Sequence, residues 1–150
     1  MDSKEFKSAF GNVAKENDFL QAFGGWYKET PECIAVLELQ KSNFGDYYIF
    51  NIKIFIQGSF DRIYTPSKDL IKSPMGDINE NETDQYKGIF DFDNPLDDSL
   101  RIEKLKELFK NHIVPFTTKA STKIGIRELD IGEQIFLLPA VKKELEKLIM

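Results

Sequence analysis

The chain has 150 residues, of which 41% are hydrophobic and 30% charged, the balance of one soluble globular domain rather than of a disordered or membrane-embedded chain. A domain of this length can bury roughly 68–70% of the surface that its unfolded chain exposes, and 13 phenylalanines supply much of the apolar area for that core. A formal net charge of −5, with lysines dispersed among acids, leaves no basic face to displace counterions from phosphates, which excludes DNA, RNA and anionic membranes as expected partners.

Asp2 and Glu5 have capping-box spacing, and Phe6, Phe10 and Val13 recur at helical intervals, so residues 3–16 are predicted to form an amphipathic helix. END and FGG then allow a sharp turn, and GWYKETPEC reads as a short strand and a turn around Pro31. CIAVLELQK begins apolar on both faces and becomes polar on one: Cys33, Ala35, Leu37 and Leu39 alternate with Ile34, Val36, Glu38, Gln40 and Ser42. NFGD makes a four-residue hairpin loop. After it, Tyr48, Phe50, Ile52, Ile54 and Ile56 form an apolar face opposite Tyr47, Ile49, Asn51, Lys53, Phe55 and Gln57.

Residues 58–85 hold two prolines and the acidic tract GDINENETD without clear periodicity, and are expected to be a long, mobile loop. YKGIFDFD is predicted as a further short strand. NPLDDS leads to a helix capped by Asp98 or Ser99, with Ile102, Leu105, Leu108, Phe109 and His112 as its apolar stripe and Pro115 bending or ending it. The runs RIEKLKELFK and VKKELEKL are read as solvated helix faces, their i,i+4 Glu–Lys pairs contributing roughly a few tenths of a kcal/mol each. Residues 116–132 allow another helical turn or two. LPAVKKELEKLI closes as a helix with Pro139 in its first turn and Val141, Leu145 and Leu148 inward. The expected fold is a single α+β domain: an N-terminal helix, an antiparallel meander of about four strands, and C-terminal helices packed on one face.

The commoner catalytic signatures (GxSxG, a glycine-rich phosphate loop, HExxH, CxxC) do not occur, and no cofactor is expected. A calcium loop starting at Asp77 would need glycine where Glu82 stands and a bidentate acid where Gly88 stands; one starting at Asp91 meets Pro95 at its third ligand position. A metal-dependent nuclease would carry a carboxylate–x–Lys pair where Asn51-Ile52-Lys53 stands. Cys33 stands alone, which rules out an internal disulfide, and its apolar neighbours mark it as a small hydrophobe. His112, the one histidine, sits on an apolar stripe and reads as a packed or capping residue. MDSKEFKSAF lacks the apolar core of a signal peptide, and a cytoplasmic location is expected.

The hairpin is the most informative stretch. With NFGD as the loop, Ser42 pairs with Tyr47, Gln40 with Ile49 and Glu38 with Asn51, which gathers Glu38, Gln40, Ser42, Asn51 and Lys53 on one side while Lys41 points away, beside Tyr48. Together with Trp26 on the preceding strand, these five are the candidate binding residues; the competing reading is a solvent face on which Glu38–Lys53 and Gln40–Asn51 satisfy one another.

MDSKEFKSAF, GWYKET and LQKSNFGDYYIFNIKIF together resemble the bacterial domain-of-unknown-function 4304 family, over about the first 57 residues and again at the LLPAV entry to the last helix. The resemblance implies a bacterial source and a small cytoplasmic domain, and it carries no activity with it. The function expected is a non-enzymatic module that binds another protein, as immunity proteins and secretion chaperones do. A ligand-binding or enzymatic domain using the Gln40/Asn51 face is one alternative, and a structural homodimer pairing through an exposed sheet edge is the other.

Overall fold

The first helix, α1 (Ser3–Glu16), starts where its spacing predicts: the Asp2 carboxylate accepts the Glu5 N–H at 2.8 Å. It ends in a Schellman turn. Asp18 adopts φ +70°, its N–H bonds the Lys15 carbonyl, and the Phe19 N–H bonds the Ala14 carbonyl at 3.0 Å. That turn delivers Phe19 to the core. A computed structural model describes residues 1–82 and 84–147; Leu148, read as inward-facing from its spacing, lies outside the described residues.

Among the described residues the sheet has five antiparallel strands in meander order: β1 (Leu20–Ala22), β2 (Gly25–Glu29), β3 (Cys33–Lys41), β4 (Tyr48–Ile56) and β5 (Ile78–Glu80). The expected α+β arrangement holds, with one strand more than the four read from the sequence. YKGIFDFD is not among the five, and two three-residue strands too short to show alternation are added: β5, inside the stretch expected to be a loop, and β1. β1 is joined to β2 through Phe23 and Gly24, both at positive φ, the turn whose twist suits a two-residue hairpin. The long hairpin has the predicted register: Glu38 opposes Asn51, Gln40 opposes Ile49, and the Ser42 N–H bonds the Tyr47 carbonyl.

One sheet face carries the main core. Phe10 sits at its centre, with ring centroids 4.8 Å from Trp26, 5.2 Å from Phe109 and 5.6 Å from Phe50. The other face is apolar only near β3 and β4, where Ile34, Val36 and Phe55 pack with Leu70 and Ile71. Those two come from α2 (Lys68–Ile71), inside the stretch expected to be a long loop. Residues 58–80 form an arm that crosses the outer face of the sheet and returns as β5.

YKGIFDFD does not form the expected strand. Asp84–Phe90 is a 3₁₀ helix, which puts Tyr86 and Ile89 three residues apart on the core side with Phe90 beside them, and among the described residues only Asp91 pairs with another strand segment, as a bridge to Tyr47. Arg101 braces this shape. The helix α3 (Asp98–Leu108) has Asp97 as its cap, not Asp98 or Ser99, and it buries Arg101, which the sequence assigned to a solvated face. Its guanidinium donates to the carbonyls of Ile89 at 2.6 Å, Asn94 at 3.0 Å and Asp91 at 3.1 Å, so the loop's backbone is satisfied by a side chain in place of a neighbouring strand.

Pro115 does not stop the helix. The chain passes through a π turn (Phe109–Ile113), in which the Val114 N–H reaches back to the Phe109 carbonyl, and continues as α4 (Val114–Lys119). The widened turn accommodates a residue that has no N–H to give. The helices α5 (Lys123–Ile131) and α6 (Pro139–Glu146) complete the fold, with Ile126, Leu129, Val141 and Leu145 in the core.

Candidate functional site

The structure brings the five hairpin residues to one face, as their alternation requires, but they do not form one open site. Lys53 is only 1% exposed. Its ammonium meets Glu38 Oε1 at 2.9 Å, the Ile71 carbonyl at 2.9 Å and the Ser73 carbonyl at 2.6 Å. An ammonium has three protons, and all three are used here. The Glu38–Lys53 pair therefore ties the arm to the sheet. Ser42 accepts the Phe44 N–H at 3.0 Å, a local turn contact in the loop, while Gln40 is exposed, Asn51 is half-buried, and no hydrogen bond joins those two among the described residues. Lys41 turns away as predicted, pairing with Asp46 and lying 5.5 Å from the centre of the Tyr48 ring. Trp26 opposes Leu37 and is buried on the core face, so it shares no surface with the other five.

The arm itself builds a more open site. Between it and the outer face of β4 lies a cleft of about 620 Å3, whose lining includes Phe55, Tyr64, Leu70, Met75, Asp77 and Leu138. The arm leaves β4 through Gly58, at φ +94°, where an added Cβ would stand 2.1 Å from Glu144 Oε1. Phe60 and Asp61 follow at φ +57°, a strained conformation for a ring-bearing residue. Gln57 fixes the return, its side-chain amide donating to the Tyr64 carbonyl at 2.8 Å and accepting the Tyr64 N–H at 2.7 Å. Phe60, Ile63 and Met75 are 46%, 80% and 62% exposed around the mouth.

Asp77 lies at the floor. Just ahead of β5, it extends the ladder by one bond: its carboxylate accepts the buried Ile56 N–H at 2.8 Å and the Tyr64 hydroxyl at 3.1 Å. Burial raises its pKa above the ordinary 3.8, against those two hydrogen bonds and the charge of Arg62. Burial, reinforced by Asp77, pushes Tyr64 up to about 12. Neither residue was selected from sequence, because nothing periodic marks residues 58–77. The available signal was indirect: Ile34, Val36 and Phe55 gave the sheet an apolar outer face, which required something to cover it.

A second group of titratable residues stands beside the π turn. His112 Nε2 lies 3.1 Å from the Asn81 carbonyl, and His112 lines a cleft of about 450 Å3 with Glu80 and Asn111. Burial raises the Glu80 carboxyl, partly offset by the nearby histidine. Cys33 is buried and its thiol is pushed up to about 12, chiefly by desolvation. Among the described residues no three His, Cys, Asp or Glu side chains converge as metal ligands, and no helix is long and apolar enough to cross a membrane.

Residues 10–119, well over half of the chain, match the model of the family described as domain of unknown function DUF4304. The match runs past the hairpin to the end of α4 and so takes in the arm, Arg101 and the residues of the cleft other than Leu138. No curated protein and no solved structure matches the chain.

Proposed function

The chain belongs to the DUF4304 family, and we propose that it is a non-enzymatic protein-binding module of a bacterial cytoplasm, acting as an immunity protein or a chaperone does. The observation that carries this reading is the cleft under the 58–80 arm, with three large apolar side chains exposed at its mouth. Exposed apolar side chains grouped around a concavity are a feature of contact surfaces. One of them, Phe60, is held outward with its backbone at φ +57°, a conformation that costs a bulky residue about 1–3 kcal/mol. The net charge of −5 suits a basic partner, whose encounter it would accelerate at low salt.

The test pairs the wild type with an Ile63→Ser/Met75→Ser double variant, both changes falling on exposed positions. Each is immobilised and exposed to lysate of the source cell at low salt, with bound proteins identified by mass spectrometry. A protein retained by the wild type and lost from the double variant supports the reading. Equal retention by both, or none by either, rejects it.

A further inference from the structure

We propose that the cleft receives a lysine side chain of the partner protein, with the Asp77 carboxylate as its counter-ion; this rests on the protein-binding reading and specifies what enters. Asp77 is only 7% exposed, and among the described residues it forms no salt bridge. Its hydrogen bonds do not explain its charge. An asparagine carbonyl would accept the Ile56 N–H equally well, without the several kcal/mol that burying an unpaired carboxylate costs. The nearest buried cation on the sheet, Lys53, already has its donors committed to Glu38, Ile71 and Ser73.

The surroundings suit an ammonium on an alkyl stem. Tyr64, half-buried and bonded to Asp77, offers its ring to methylenes and cation alike, backed by the buried Phe55 ring 5.2 Å away and inclined at 57°. Each Asp77 oxygen carries one accepted hydrogen bond and keeps a lone pair for another. Of the charged side chains lining the cleft, Asp69 and Asp77 are acidic and Arg62 basic, which leaves the site net negative. The volume exceeds one lysine, so apolar residues flanking it in the partner would lie against Phe60, Ile63 and Met75.

The probes are N-acetyl-lysine methylamide, its uncharged norleucine counterpart and the free diamine putrescine, titrated into 15N-labelled protein and followed at the amides of Ile56, Tyr64 and Asp77. We expect the lysine probe to bind roughly tenfold more tightly than norleucine. Asp77→Asn, which keeps an acceptor for Ile56, should abolish that preference. Arg62→Gln, at an exposed position, should strengthen lysine binding, and it serves as a second variant should Asp77→Asn fail to fold. Equal binding of lysine and norleucine, or no shift with either, overturns the counter-ion assignment while leaving the lysate result to stand or fall separately. Tighter binding of putrescine than of the lysine probe overturns the assignment to a protein partner.

Discussion

Lys53→Met isolates the clamp between the arm and the sheet. The substitution keeps the length of the stem but removes three hydrogen bonds, stranding Glu38 (12% exposed at its side chain) and the carbonyls of Ile71 and Ser73. Breaking one partner of a buried ion pair costs about 3–5 kcal/mol, and the residual exposure of Glu38 places this case at about 3. Adding Glu38→Leu removes the stranded charge, so the double variant should recover about 1 kcal/mol, a third of the loss, the remainder being the two carbonyls at about 1 kcal/mol each. Urea unfolding followed by fluorescence reads this directly, because Trp26 is the single tryptophan and is buried in the core. With a slope near 2 kcal/mol/M, the Lys53→Met midpoint should fall by roughly 1.5 M. A loss below about 1 kcal/mol, or a double variant destabilised by the sum of the two single changes, would refute the view that Lys53 is a committed structural cation.

Arg101→Met should cost about 2 kcal/mol or more by leaving the Ile89 and Asp91 carbonyls without donors, while the Asn94 carbonyl keeps the Leu96 N–H. At about 2–4 °C per kcal/mol in a domain of this size, a calorimetric melt lowered by less than about 4 °C would contradict the role given to Arg101. Cys33 should resist a thiol reagent such as DTNB at pH 8 in the folded protein and react on unfolding, since its thiol titrates near 12; rapid native labelling would show that it is reachable. Asp77 titrates above 3.8 in the folded state, so its protonated form is favoured by folding: that contribution is fully present below 3.8 and is lost as pH rises through the raised value. Asp77→Asn should therefore gain stability relative to wild type between those limits in urea melts across pH, and a gap that narrows on going upward would reverse the sign argued here.

The strong periodicities were legible. The cap at Asp2, the alternation of β3 and β4 and the NFGD loop each depend on neighbours in sequence, and they fix the helix start and the hairpin register. What escaped depended on distant groups. Arg101 and Lys53 look like ordinary surface cations until the carbonyls they bind are brought from 12 and 18 residues away. The same distance hid the cleft: Tyr64 and Asp77 are 13 residues apart and meet only because the arm folds back on Gln57. The hairpin patch was correctly placed, yet alternation cannot reveal that α2 lies over Lys53. Nor does it show that Trp26 belongs to the core face unless the β2–β3 register is known.

The way the arm is fastened also bears on the order in which the molecule forms and exchanges. The first four strands pair with sequence neighbours through short connections, contacts that a chain reaches quickly because little loop entropy is lost in closing them. β5 returns only after the arm and meets β4 over three residue pairs, so it joins a meander that is already complete. Detachment of the arm, with Leu70 and Ile71, would expose Ile34, Val36 and Phe55 and draw Ile78 from the edge of the main core, but leave Phe10 among Trp26, Phe50 and Phe109. The cleft thus belongs to a unit that can open below the global unfolding free energy, and amides of residues 58–80 should exchange with solvent faster than those of β3.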